Sequence, residues 1–130
     1  MALIESFRDL EVYKLARAEA KTIYEVSLSF PKEERYSLTD QIRRASRAVS
    51  SMTAEAWGRR RYVAAFINKI NEALAEAMET QAWLDHALDS CYIDTQLHQQ
   101  LDERWQHVGA MLNRMIDRAD SFCKAAQKPN

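Results

Sequence analysis

Arginine is the residue type whose spacing stands out most in this sequence. Six arginines fall within 19 residues, in two groups: Arg43, Arg44, Arg47, Arg59, Arg60 and Arg61. A planar guanidinium group binds phosphate oxygens in a bidentate manner, so such a cluster can hold a nucleic acid by its backbone with strong salt dependence. Trp57 and Tyr62 flank the second group and could stack on bases. One interpretation of these residues is contact with RNA or DNA.

An acidic series further along the chain suggests a different interpretation. Glu72, Glu76, Glu79 and Trp83 recur at spacings of four, three and four, which places them on one stripe of a helix. They fit as partners for the helix-two arginines Arg43, Arg44 and Arg47, either within one chain or across a subunit boundary. Trp and Arg are both enriched at the centres of protein interfaces. We therefore expect an oligomer interface, and we keep nucleic acid as the alternative.

The residue types of common enzyme sites are present without the spacing that their chemistry needs. A di-metal centre in a helical bundle uses Glu-x-x-His on two helices, which this sequence lacks, and His86, His98 and His107 share no inward face. Cys91 and Cys123 have no evident base nearby. Two isolated glycines cannot form a phosphate-binding loop. We expect no catalytic residues, no cofactor, no metal, no small-molecule substrate and exposed histidines.

Composition indicates one helical domain over residues 1–126. The 130 residues include only two glycines and two prolines, too few for the turns of a β-sandwich or barrel. No apolar run approaches the roughly 20 residues of a membrane-spanning helix. With two cysteines and no leader-like segment, a cytoplasmic location is expected, without membrane contact. Residues 31–61 carry eight basic and four acidic side chains, and residues 62–130 carry six and ten.

Apolar residues recur at helical spacing in four stretches, which predict helices at about 7–29, 38–57, 61–91 and 95–125. Ser6 with Asp9 resembles a capping box for the first helix, and Ser37 or Thr39 could cap the second. Gly58 is placed as a left-handed residue after the second helix, and Asp94 or Thr95 could cap the fourth. Short connections predict an all-α fold, an antiparallel up-and-down four-helix bundle with left-handed packing and a frayed tail at 127–130.

Four segments carry a resemblance to a known family: FRDL at 7–10, FP at 30–31, LTDQIRRA at 38–45 and EAMETQAWL at 76–84. In order and spacing they resemble the bacterial four-helix bundle family, also called the 23S rRNA intervening-sequence proteins. The resemblance runs to Cys91-Tyr92-Ile93, where relatives often have Gly-Tyr-Ile or Gly-Tyr-Leu. It implies an up-and-down protomer. Related proteins, including the accessory proteins of diversity-generating retroelements, assemble as rings of five, so the partner expected by resemblance is the chain itself in a homopentamer.

One departure from the family pattern lies in the first helix. Relatives commonly have leucine where this chain has Glu19, and the position falls within the apolar stripe. An unpaired buried carboxylate costs several kcal/mol, roughly, so we expect Glu19 to reach solvent, a partner subunit or a basic side chain.

Overall fold

The computed structural model describes residues 3–127, with side chains described as far as Cys123, so residues 128–130 of the expected tail lie outside it. Within these residues the chain forms five α-helices and no strand. They are α1 (Glu11–Ser27), α2 (Leu38–Gly58), α3 (Val63–Asp89), α4 (Thr95–Asp117) and α5 (Ala119–Gln127). Two short 3-10 helices, Phe7–Asp9 and Lys32–Glu34, precede α1 and α2. The all-α fold class is confirmed.

The beginning of the first helix differs from the prediction. The capping box of Ser6 and Asp9 forms, but it caps the 3-10 helix Phe7–Asp9. Leu10 then takes extended geometry, with φ −66° and ψ 126°, and is buried. Because a helix cannot continue through an extended residue, α1 begins only at Glu11 and ends at Ser27.

The N-cap position of α2 is occupied by Ser37, one of the two candidates, but its side chain makes no capping hydrogen bond. Thr39 lies inside α2 and is buried, so it is not the cap. Instead the Glu34 Oε1 atom accepts hydrogen bonds from the Ser37 hydroxyl at 2.6 Å and from the Leu38 amide at 3.4 Å. Gly58 is the last residue of α2, and its φ is not positive, so its predicted left-handed conformation is wrong.

The left-handed residue lies instead after α3, at Cys91, whose φ is 62°. The Tyr92 amide donates to the Ala87 carbonyl and the Cys91 amide donates to the Leu88 carbonyl, both at 2.9 Å. These two bonds form a Schellman motif, which requires left-handed geometry at its central residue and usually has glycine there. A cysteine in this position carries the steric strain that glycine avoids.

The fourth predicted helix is divided in two at Arg118, which has φ −107° and ψ 23°. Asp94 caps its start as predicted, by accepting a 2.8 Å hydrogen bond from the Leu97 amide. Beyond the break, α5 packs against α3, where the Phe122 ring stacks on Phe66 with centroids 5.8 Å apart. Cys123 on α5 is fully buried in the core.

Helices α1 to α4 pack around one core, each of them against two others: α1 with α2 and α4, and α3 with α2 and α4. Trp105 on α4 is the largest fully buried side chain, and Phe66, Ile23, Ile42 and Leu84 surround the same interior. In the described part of the chain, no helix combines the length and apolarity needed to cross a membrane.

Candidate interaction surfaces

The outer side of α2 and α3 forms an open groove of about 630 Å³, hereafter the α2/α3 groove. The groove is lined by both α2 and α3: Gln41, Arg44, Ala45, Arg47, Ala48, Ser51, Met52, Glu76 and Glu79. The structure therefore brings together two of the three predicted helix-two arginines and two of the three predicted glutamates. Glu72 is separate, because it pairs with Lys69 at 2.8 Å, and Lys69 also lies 3.4 Å from Glu55.

The charges of the α2/α3 groove are adjacent but not paired. None of the ion pairs found among residues 3–127 joins Arg44 or Arg47 to Glu76 or Glu79. Partial burial raises the pKa of Glu76, the neighbouring Glu79 carboxylate raises it further, and Arg44 opposes both effects. The groove thus holds two neighbouring carboxylates and two guanidinium groups with no direct ion pair between them.

Trp83 extends this surface towards the end of α3. Its indole is partly buried and lies against His86, with ring centroids 5.4 Å apart. The Nε1 atom is shielded from solvent and has no hydrogen-bond acceptor. Trp83 lines a second hollow of about 570 Å³ together with Glu34, Ser37, Leu38, Gln41, His86 and Ser90. Because Gln41 lines both hollows, they form one continuous surface.

Arg43 faces α1 and does not line the α2/α3 groove. Its Nε atom donates to the Ser27 hydroxyl at 2.8 Å, and its guanidinium carbon lies 4.7 Å from the centre of the Tyr24 ring. The Arg47 guanidinium carbon lies 5.5 Å from the same ring. Tyr24 is thus the aromatic centre of a face formed by α1 and α2, and the helix-two arginines are divided between two faces.

The second arginine group lies at the connection between α2 and α3. Arg60 covers the Trp57 ring, with its guanidinium carbon 3.8 Å from the ring centre, and its Nη1 atom donates to the Trp57 carbonyl at 2.7 Å. Trp57 is therefore in contact with an arginine, whereas Tyr62 is 67% exposed. Arg61 and Tyr62 line a cleft there with Gly58 and Arg60. Arg59 caps the end of α2 and is exposed.

A basic groove on α1 was missed by sequence reasoning. It has a volume of about 290 Å³ and is lined by Arg8, Tyr13, Lys14, Arg17, Ala18 and Lys21, with no acidic residue among them. Every lysine and arginine of the first 30 residues belongs to it. The signal was available, because Lys14, Arg17, Lys21 and Tyr24 recur at spacings of three, four and three. The net charge of residues 1–30 does not show this pattern, because five acidic residues in the same segment offset the four basic ones.

Glu19 is buried, as its place in the apolar stripe implied. Its side chain is 11% exposed, and its Oε1 atom lies 3.8 Å from the Nη1 atom of Arg104 on α4. That oxygen accepts no hydrogen bond. Burial raises the pKa of Glu19, and the Arg104 charge opposes this rise. The expected basic partner is present, at a distance that gives only a weak ion pair.

The histidines and cysteines differ in exposure. His86 and His107 are exposed as predicted, whereas the His98 side chain is 18% exposed and contacts Asp85. The exposure prediction is therefore wrong for His98. Cys123 is buried, and burial raises the pKa of its thiol, which disfavours the reactive thiolate. Gln81 on α3 forms a hydrogen bond to the next helix, from its Nε2 atom to Asp102 Oδ1 at 3.1 Å.

These features define an all-helical protein whose notable polar residues lie in open surface grooves. A family model for the 23S rRNA-intervening sequence protein matches residues 8–114. The chain belongs to this family, which confirms the resemblance found in its sequence.

A solved structure supports the same assignment. It is the 1.70 Å crystal structure of a protein with unknown function from the S23 ribosomal protein family from Bacteroides thetaiotaomicron, which is 25% identical to this chain. The match covers 82% of this chain and 95% of that one, with a TM-score of 0.74. No curated protein matches. Neither the family nor this relative is described with an enzymatic activity.

Proposed function

We propose that this chain is a non-enzymatic cytoplasmic protein that assembles with itself into a ring of five, using the α2/α3 groove and Trp83 as part of the contact between subunits. The number five rests on the resemblance to the ring-forming accessory proteins. The proposed interface residues are Arg43, Arg44, Arg47, Glu72, Glu76, Glu79 and Trp83. Arg43 and Glu72 lie at the edge of this interface, because each has a partner within the chain.

The observation that carries this proposal is the lack of internal pairing in the α2/α3 groove. Arg44, Arg47, Glu76 and Glu79 line one hollow without an ion pair between the arginines and the glutamates among the described residues. A second subunit can supply a counter-charge to each of them, and a surface of both signs also discriminates against wrong partners. The neighbouring indole of Trp83, which is partly buried, supplies the apolar anchor that such contacts need.

Within this proposal the protomer is an antiparallel, up-and-down four-helix bundle with left-handed packing, extended by α5. Contacts between helix ends support this arrangement. Glu55 near the end of α2 contacts Lys69 near the beginning of α3, and Asp85 near the end of α3 contacts His98 near the beginning of α4. Neighbours joined by short connections in this way run in opposite directions.

Light scattering after size exclusion tests the assembly. We expect a mass of about 75 kDa, which is five times the chain mass of 15.1 kDa. Another stable multiple would retain self-assembly and correct the subunit number. A monomer over the whole accessible concentration range would overturn the proposal.

A second function is supported by the basic groove on α1. This face continues beyond Lys21 to Tyr24, whose ring Arg43 and Arg47 cover, so basic side chains lie beside the partly buried Tyr13 and the exposed Tyr24. This arrangement suits a single-stranded nucleic acid, whose phosphates pair with the cations and whose bases stack on the rings. We propose RNA or DNA binding as the alternative, with Arg44, Arg59, Arg60 and Arg61 as further contacts.

Filter binding at several salt concentrations tests this alternative. The logarithm of the binding constant should fall linearly with the logarithm of salt concentration, by a slope of about −0.7 for each phosphate contacted on a single strand. No binding at low salt would dispose of the alternative and leave the assembly proposal unaffected.

A further inference from the structure

Three side chains with metal-binding groups meet on the outer surface of α3 and α4. Asp85 lies near the end of α3, and His98 and Asp102 lie one turn apart on α4. One ligand atom from each residue lies within 4.8 Å of the other two. The closest pair is His98 Nε2 and Asp85 Oδ1, at 2.8 Å. A sequence search for an inward-facing site could not find this set, because it faces outward and joins residues from two helices.

Neighbouring groups hold two of these side chains in position. The Gln81 Nε2 atom donates to Asp102 Oδ1 at 3.1 Å and lies at the same distance from Gln106 Oε1. The amide therefore orients the Asp102 carboxylate and leaves its second oxygen available. The His98 ring is only 18% exposed, which limits its rotation. Such outer hydrogen bonds are the usual support of metal ligands, since they preset the ligand orientation before the metal arrives.

We propose that Asp85, His98 and Asp102 bind one Zn²⁺ ion, with water completing the coordination. One imidazole nitrogen and two carboxylate oxygens are a donor set that zinc accepts, at bond lengths of about 2.0–2.2 Å. Adjacent ligand atoms around a tetrahedral zinc are then roughly 3.3–3.5 Å apart. The three side chains reach this spacing by small rotations, because none of the three ligand-atom separations exceeds 4.8 Å.

The same donor set disfavours the common alternative cations. Mg²⁺ and Ca²⁺ prefer sites made only of oxygen ligands, and Ca²⁺ takes six to eight of them. Without metal, His98 and Asp85 share a hydrogen bond. This contact is an ion pair only when the imidazole is protonated. Zinc binds the neutral form of an imidazole. A bound ion ties the end of α3 to the beginning of α4.

Isothermal titration of the full chain with zinc chloride tests the proposal. It is best done in a Cys91→Ser background, which removes the exposed thiol as a competing ligand. We expect one zinc ion per chain and a rise in melting temperature with zinc. His98→Gln and Asp102→Asn should abolish this binding, and Gln81→Ala should weaken it about tenfold through the lost outer hydrogen bond.

His107→Gln is the matched control, because it removes an exposed histidine from the same helix outside the cluster. It should bind zinc as the parent chain does. The proposal is overturned if the parent binds no zinc in the millimolar range, or if His98→Gln, shown to be folded by circular dichroism, retains the full stoichiometry and affinity. Loss of zinc binding in His107→Gln, with binding retained in His98→Gln, would also overturn the proposal.

Discussion

The Tyr92 hydroxyl donates a 2.9 Å hydrogen bond to Glu34 Oε2 and so connects the residues after α3 to those before α2. The other carboxylate oxygen of Glu34 caps α2 through Ser37 and Leu38. The Tyr92 ring also packs on Phe30, with centroids 5.7 Å apart. One carboxylate therefore links two helix ends, and this end of the molecule depends on its charge.

The first prediction concerns that carboxylate. Its hydrogen bond with Ser37, followed by that with Tyr92, lowers the pKa of Glu34 below 4.5. A lowered pKa contributes stability above the unfolded value, and this contribution disappears as pH falls through the folded pKa. Glu34→Gln should therefore lower the free energy of unfolding near neutral pH, and the difference from wild type should vanish in acid. Urea titrations at both conditions measure it. Glu33→Gln, at the exposed neighbour, should have little effect at either pH.

The second prediction concerns the left-handed residue Cys91. Cys91→Gly should stabilise the protein by about 1 kcal/mol, because glycine lacks the β-carbon that makes this geometry costly. Thermal and urea unfolding measure the change. Cys91→Ala is the control, since it removes the thiol and keeps the β-carbon. Equal stabilisation by alanine would assign the effect to the thiol and contradict the conformational explanation.

The third prediction concerns the buried carboxylate on α1. Glu19→Leu should stabilise the protein at neutral pH by on the order of 1 kcal/mol, because it replaces a poorly paired buried charge by an apolar group. The pKa of Glu19 is raised by burial, so wild type loses stability as pH rises from about 4.5 through the folded pKa. The advantage of leucine should therefore grow over that range and level off above it. Glu25→Leu, at an exposed site, should not produce this pH dependence.

The fourth prediction concerns assembly through the α2/α3 groove. Trp83→Ala removes the apolar anchor and Glu76→Arg reverses one charge, so both should reduce the oligomer mass while the helical circular dichroism remains. Glu103→Arg makes the same charge change at an exposed site on α4 and should leave the mass unchanged. Unchanged mass in both Trp83→Ala and Glu76→Arg would place the interface elsewhere.

The fifth prediction concerns the basic groove on α1. If this face binds nucleic acid, Arg17→Glu and Lys21→Glu should each weaken binding across all sequences and reduce the salt slope by about one contact. Lys32→Glu, which lies in the 3-10 helix before α2, is the matched charge reversal outside the groove. Equal losses in all three variants would indicate a general effect of net charge.

Helical periodicity predicted the class of fold, because the buried side chain of a helix repeats every three to four residues whatever it packs against. It could not predict the ends of helices equally well. Ser6 caps a 3-10 helix, Glu34 takes the role assigned to Ser37 or Thr39, and Cys91 adopts the geometry expected of Gly58. These outcomes depend on local hydrogen bonds between residues a few positions apart, which the apolar periodicity does not describe.

The candidate surfaces divide in the same way. Residue type and spacing along single helices identified Arg44, Arg47, Glu76, Glu79 and Trp83 as surface groups of interest, because their helical face is a local property. Only the tertiary structure decided which of them share a groove, why Arg43 and Glu72 do not, and that His98 lies beside Asp85 and Asp102. Distances between helices depend on packing around Trp105 and the rest of the core, and a one-dimensional pattern does not contain them.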